Sequence, residues 1–467
     1  MALSAPIVFE IRPGAGSSGN GGGFDVTATG IDRSQQDAAF ATLSTLSTVH
    51  STTTQINVSE LDHNVTGADV GNILQVTGGS ATPGPYLILA ADAGNNRWTM
   101  DRSVGTFLQT VVGGMGGAKA SIADLHNIVV AGNTFFHKNS GTDTPGQSVT
   151  LAAGTLVLPI TGIGYNTVRG DLTTTATYAG THLANGFLDD TIMPLVDLEG
   201  FNIACGTHTH FLGINFTGTR AAAQISVGAA SSMFRCKLHN ASTSANAVTV
   251  TNAASLIDSE MSSVGAAGGW TTTSGNALFL KSCRVTSTNA GGVLCTASVF
   301  TSINSVLYRL ATGQSGLAIS HSNPNLLVAN NTFYNIAGAG IIVANVAMTN
   351  PNIILINNQV SGCEQFANND RLLTQVLRLF SLHNRIRDTV TPYIGWQTNS
   401  GINDITTADT DANEYEDADN NNFRLKSGAA GIAKGLPAPA TIGAFTFHGE
   451  GGGGFAGVSR SRAVNHA

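Results

Sequence analysis

Charge is what this chain has least of. Asp, Glu, Lys and Arg together make up 11% of its 467 residues, against roughly 25% in an ordinary soluble domain. A nucleic-acid-binding face needs clustered Lys and Arg; the formal net charge here is −7, so no nucleic-acid partner is expected. Long apolar runs are also missing. Nothing approaches the roughly 18 consecutive apolar residues of a membrane span, so no membrane partner is expected. Disorder does not follow from the low charge, because 42% of the residues are hydrophobic and disordered chains combine low hydrophobicity with high charge. The five cysteines (Cys205, Cys236, Cys283, Cys295, Cys363) show no CxxC or zinc-ligand spacing. They read as buried, reduced thiols, with no metal and no cofactor. The opening MALSAPIVFEIRPG lacks the basic stretch and apolar core of an export signal, which fits synthesis in a cytoplasm, including that of an infected cell. Aromatics are 6%, and Trp98, Trp270 and Trp396 lie far apart in sequence, a poor basis for a sugar-binding platform.

What is present is glycine, 55 residues of it, together with small polar residues and a repeat. LLVANNTFYN from Leu326 is followed by IILINNQVSG from Ile353. The five-residue core of the pattern recurs as LGINF, FRCKL, IDSEM, KSCRV, INSVL, ANNTF, INNQV and LHNRI. Its closing residues are Phe216, Leu238, Met261, Val285, Leu307, Phe333, Val360 and Ile386, spaced 22 to 27 residues apart. Apolar or small residues at the first, third and fifth positions read as a strand with one face inward. A strand returning at this interval predicts a right-handed parallel β-helix, an all-β solenoid in which each turn stacks on the last. Lys281 and Ala329 fit the first position poorly, and a bulge that brings in Leu280 and Val328 would repair them. The third position holds Ile214, Cys236, Ser259, Cys283, Ser305, Asn331, Asn358 and Asn384. In register, the three asparagines would form an amide ladder. Cys236 and Cys283, two strand spacings or about 9–10 Å apart, lie beyond the roughly 7 Å reach of a disulfide.

The repeat divides the chain. Residues 1–120 read as a small β-rich module with a short helix from Ser34 to about Leu46, Ser34 being its N-cap. Residues 121–445 read as the coil, recognisable from TLVLPITGIGYNTVRGD at Thr155. Residues 446–467, GGGGFAGVSRSRAVNHA at their end, read as a Gly-rich tail held by a neighbouring subunit.

These phrases carry a resemblance. The repeats, and NNNFRLKSGAAGIAKG followed by TIGAF, resemble right-handed β-helix proteins of the pectate-lyase-like superfamily, although SGAAGIAKG lacks the usual proline. NGGGFDVTATGIDRSQQDAA, DVGNILQVTGG, MDRSVGT and GYNTVRGD resemble virion-associated proteins of tailed phages. That second resemblance implies a structural part of a particle (capsid decoration, head fibre or tail), hence a virion location. It also implies other capsid or tail proteins as partners and homotrimers, with host surface glycan as a further ligand.

The first resemblance raises the alternative of a tailspike-like polysaccharide lyase or glycoside hydrolase, whose chemistry needs carboxylates as acid, base or calcium ligands. The fallback catalytic residues are Asp258, Glu260 and Arg284. With Arg235 and Lys237 they would stack with alternating sign, which reads more simply as a surface salt-bridge ladder. His208 and His210 in CGTHTHF have no third ligand in view and read as ordinary packing. DTDANEYED (409–417) departs from a calcium loop and reads as solvated, RGD (169–171) as a turn, and GGMGG (113–117) as a linker.

Overall fold

A computed structural model of the chain describes residues 7–172, 188–243 and, with interruptions, 247–426. The expected C-terminal tail, TIGAF, SGAAGIAKG and Trp396 lie outside the described residues. The chain divides into two compact units, one formed mainly by the residues up to Phe216 and one mainly by those after it.

In the first unit, Ile7–Ile11, Thr134–Lys138, Ile160–Tyr165 and Thr209–Leu212 pair in parallel, in that order. The strand at Ile7–Ile11 therefore belongs to the stack that the sequence reading begins only after residue 120. Its free edge is covered by Gly23–Asp25, paired antiparallel, which removes an open template for further strands. Between the first two stacked strands lies an antiparallel sheet. Its spatial order is Ala41–Leu43, Val111–Met115, Ile73–Gly79, Gly84–Asp92, Arg97–Met100, Gln55–Asn57, Thr48–Val49. Trp98, Tyr86, Ile56, Val76 and Met115 fill its core.

Two expectations fail in this unit. No helix spans 34–46. The Asp32 carboxylate accepts from both the backbone N–H (2.8 Å) and the hydroxyl (2.5 Å) of Ser34, a local bond that competes with helix initiation, and Ala41–Leu43 is drawn into the sheet opposite Met115. GGMGG is no linker, since Gly113, Gly114 and Met115 lie in a strand paired on both sides. A Cβ at Gly113 would stand 2.1 Å from the Gln75 carbonyl oxygen, so the close approach of strands requires glycine there.

The second unit is a parallel β-helix, in which each turn contributes a strand to each of three sheets. In the first sheet Ser231–Phe234, Ala254–Ile257, Leu278–Lys281, Val299–Ile303, Asn325–Ala329 and Asn352–Ile356 stack in sequence order. In the second, Lys237–Asn240 begins a stack in which Leu238, Met261, Val285, Leu307, Phe333, Val360 and Ile386 stand one above another. All seven are buried, each contributing on the order of 1.5–3 kcal/mol.

The corner between these sheets explains the doubled asparagine. Arg235, Asp258, Ser282, Asn304, Asn330 and Asn357 all adopt positive φ, near 50–55°. Asn and Asp tolerate this left-handed conformation better than other non-glycine residues. The next residue points inward. The backbone N–H of Asn331 donates to Asn358 Oδ1 (3.0 Å) and that of Asn358 to Asn384 Oδ1 (2.8 Å). The same oxygens accept from the Asn331 and Asn358 amides at 3.1 and 2.9 Å. Further up, Ser305 N–H donates to Asn331 Oδ1 and Cys283 N–H to Ser305 Oγ. Cys236 N–H likewise donates to Ser259 Oγ. Every cysteine is a free thiol, and burial pushes those of Cys283 and Cys363 up to about 12.

The left-handed residue also breaks the period of two. The pattern's first position therefore faces outward. Leu256, Leu280, Val328 and Leu355 are the buried residues, while Ile257, Lys281, Ala329 and Ile356 lie half-buried outside. Lys281 and Ala329 need no bulge.

These adjacent asparagines should respond differently to substitution. Asn358→Ala strands the Asn331 N–H in the interior and is expected to lower stability by about 2–4 kcal/mol. Asn330→Gly keeps the backbone conformation and should stay within about 1 kcal/mol. Urea denaturation of the two variants checks both.

Candidate functional site

The alternating charges stand on the outer face of the second sheet, where Lys237, Glu260 and Arg284 are in register on successive turns. Arg235 and Asp258, at the left-handed corner positions, lie beside them. Arg235 Nε meets Asp258 Oδ2 at 3.3 Å, Lys237 Nζ meets Glu260 Oε2 at 3.9 Å and Arg284 Nη1 meets Glu260 Oε1 at 3.2 Å.

The expectation of a surface ladder needs correction. The Glu260 and Arg284 side chains are only 9% and 8% exposed, and Leu188, itself buried, donates its backbone N–H to Glu260 Oε1 at 2.6 Å. A carboxylate whose oxygens are taken up by two cations and an amide donor is a poor start for proton transfer. Beyond the ladder the same face turns aromatic. A hairpin of Tyr415–Asp417 and Asn422–Leu425 packs Tyr415 and Phe423 on Tyr308 and Tyr334. Burial there, and then the Glu260 charge, raises the Tyr308 hydroxyl above its ordinary range. The described end of DTDANEYED is thus a strand with Tyr415 buried, not a solvated loop. On the neighbouring file, His239 Nδ1 and Ser262 Oγ lie 2.8 Å apart. Burial and then Lys237 lower the imidazole's affinity for a proton.

Three polar groupings in the first unit have no counterpart in the sequence reading. Glu10, fully buried, bonds Arg169 at 2.6 Å, Arg12 at 3.0 Å and the Tyr165 hydroxyl. Burial, and then the hydrogen bond to that carboxylate, raises the Tyr165 hydroxyl. The RGD arginine is thereby a structural tie, while Asp171 accepts the backbone N–H groups of Asn166, Thr167 and Val168 within its own turn. His137 and Asp143 form a buried pair at 2.8 Å. In the antiparallel module, Asp69 Oδ2 accepts from Trp98 Nε1 (3.1 Å) and the Thr66 N–H (2.9 Å) and lies 3.0 Å from His63 Nε2.

The Glu10 grouping joins residues up to 159 positions apart, so no local motif announces it; His137 with Asp143 and His63 with Asp69 are each only six residues apart, but their burial leaves no local mark. Trp98, at 0% exposure, is core and offers no platform to a sugar. His208 occupies a corner at positive φ, and burial followed by His208 lowers the affinity of His210 for a proton. Among the described residues no group of three or more His, Cys, Asp or Glu is arranged to hold a metal, and no helix is long and apolar enough to cross a membrane.

No protein-family model and no curated protein sequence matches the chain. Among solved structures, pectate lyase Pel9A is similar at 13% identity and a TM-score of 0.44, over 71% of this chain and 92% of that one. The PL6-family alginate lyase AlyGC is similar at 12% identity and a TM-score of 0.30, over 60% of this chain and 52% of that one. Likeness at this level concerns the parallel β-helix fold.

Two measurements probe the site. Glu260→Gln leaves the buried Arg284 and the half-buried Lys237 facing a neutral amide and is expected to cost about 2–4 kcal/mol, somewhat less than full removal of one partner of a buried pair, read as a lower urea midpoint. Asp69, despite the opposing effect of burial, has its carboxyl held below the usual range by His63, Thr66 and Trp98. A carboxyl lowered by folding adds stability above its unfolded value of about 3.9 and loses it as the pH falls through the folded value. The module should therefore melt at a near-constant temperature from pH 6 to about 5 and progressively lower below about 4. In Asp69→Asn that part of the acid slope should be missing from thermal melts.

Proposed function

We infer that this chain is a structural component of a tailed-phage particle, a β-helical scaffold without catalysis. The observation that carries the reading is the state of the charged row on the second sheet. Its carboxylates are bonded to opposite charges, and Glu260 is capped by Leu188, which suits holding a shape rather than turning over a substrate. The third sheet points the same way. Its file Ser226, Thr249, Thr273, Leu294, Ala318, Ile342 contains no ionisable residue. Main-chain hydrogen bonding from turn to turn, with the side-chain ladder at the corner, supports a stiff body. The phage assignment rests on the sequence resemblance, as do homotrimers and capsid or tail partners.

The alternative, a polysaccharide lyase or glycoside hydrolase acting on host glycan, is separated by experiment. The purified protein is expected to release neither reducing ends nor unsaturated products from a panel of acidic and neutral polysaccharides. Cleavage that disappears in Glu260→Gln would overturn the scaffold reading. Protein analysis of purified virions should find the chain at many copies per particle, and its absence from them would defeat the virion assignment.

A further inference from the structure

The first sheet of the second unit has two apolar faces. Its inner residues are core: Met233, Leu256, Leu280, Val328 and Leu355 are at most 1% exposed. Its outer face is mostly apolar as well. Phe234, Ile257, Lys281, Ile303, Ala329 and Ile356 stand in one file by register, and Ser232, Ser255, Phe279, Thr301, Leu327 and Ile354 in the next. All of these outer residues are half-buried. Strands that read as continuous apolar runs, as LLVA and IILI do, are normally covered on both faces. Here the outer face is bounded by polar residues, with Asn304 and Asn330 at the corner on one side and the exposed Asn325 and Asn352 on the other. An apolar centre with a polar rim is the anatomy of a protein–protein interface.

We propose that this face is where a second copy of the chain docks. Two features select that occupant. Identical chains each carry a net charge of −7 and repel one another, so association favours a surface that is apolar and poor in charge together, whereas the uncharged third-sheet file is half hydroxyl residues. The two files hold a single ionisable residue, Lys281, and no carboxylate; at their edge Arg235 lies over the Phe234 ring and is paired with Asp258. Its size also fits. From Phe234 to Ile356 the strip crosses five strand spacings, about 24 Å, and two files make it about 14 Å wide with the flanking side chains. That is an apolar centre approaching half of the roughly 800 Å² that each partner contributes to a standard interface, the asparagine rims supplying the rest. The inference builds on the scaffold reading, since a shaft made of several copies presents its coils side by side.

Sedimentation equilibrium of the full chain at micromolar concentration tests it. The expected mass is twice 47.9 kDa or a higher integer multiple of it. Ile303→Glu with Leu327→Glu, on adjacent files, should weaken association at least tenfold while circular dichroism and protease resistance stay unchanged. Thr301→Arg, which removes no apolar group, should act in the same direction if the double variant folds poorly. A wild-type chain that stays at 47.9 kDa overturns the proposal, as does an oligomer that Thr301→Arg leaves intact. A monomer that binds an apolar dye only after residues 427–467 are deleted assigns the face to the chain's own C-terminal residues, and also overturns it. None of these outcomes bears on the glycan and virion measurements, so the interface and the scaffold role can fail separately.

Discussion

At five corners between the first and second sheets of the coil, those of Cys236, Cys283, Ser305, Asn331 and Asn358, a buried backbone N–H is satisfied by a side chain one turn further along. That bond is the constraint on which the geometry of the coil rests. Leaving such a donor unpaired costs about 1–3 kcal/mol, and the corner recurs on every turn. The left-handed residue before it turns the chain between sheets; the inward residue after it supplies the acceptor. Where both are asparagine the two tasks are met by one residue type in two conformations. Toward the other end of the unit, Ser259 and Ser305 supply hydroxyls in place of amides, and the corner positions hold Arg235 and Asp258.

The same bond accounts for the register of everything outside it. Once Asn331 and Asn358 are tied, Phe333 and Val360 can only stand one above the other, and so can Thr332 and Gln359 on the outer face. Charges placed there inherit neighbours at one strand spacing. The Lys237–Glu260–Arg284 row is therefore a consequence of stacking, completed by Leu188 from elsewhere in the chain. Such a row, buried in part, at Glu260 and Arg284, adds little net stability compared with apolar residues of the same volume. Its consequence is specificity: a slip by one turn would bring Lys237 against Arg284.

Much of the coil was legible because its period is visible in single residues. Leu238 through Ile386 recur at nearly constant spacing, and their vertical register follows from that alone. What could not be seen was the left-handed corner, since a positive φ leaves no mark on hydrophobic periodicity. The first position of the pattern therefore read as inward when it faces out. The helix expected from Ser34 failed for a different reason: Asp32 offers its side chain to the backbone two residues on, and the antiparallel module takes up Ala41–Leu43. At the site, the pairing of Asp258 with Arg235 and of Glu260 with Lys237 and Arg284 could be read from spacing. Its burial could not, because the Leu188 amide arrives from 72 residues away. Glu10 with Arg169 and Tyr165 is hidden for the same reason, being a contact of long sequence separation.

The scarcity of charge with which the sequence opens now has a physical cause. In a coil of this kind each outward residue has a neighbour of the same file about 4.8 Å above and below. Two like charges at that distance repel by about 1 kcal/mol in water and several-fold more near a protein surface, and the penalty repeats with every turn. A file can then be neutral, like the one from Ser226 to Ile342, or alternate in sign, like Lys237–Glu260–Arg284, but it cannot be uniformly charged. Stacking in register thus removes most of the surface positions where a soluble protein ordinarily places Lys and Glu. On the second sheet these positions hold the alternating row and then Tyr308 and Tyr334, and on the third small polar residues give way to Leu294, Ala318 and Ile342. On the first sheet apolar residues predominate among them, interspersed with Ser232, Ser255, Thr301 and Lys281, which is why the docking of a second copy is proposed there.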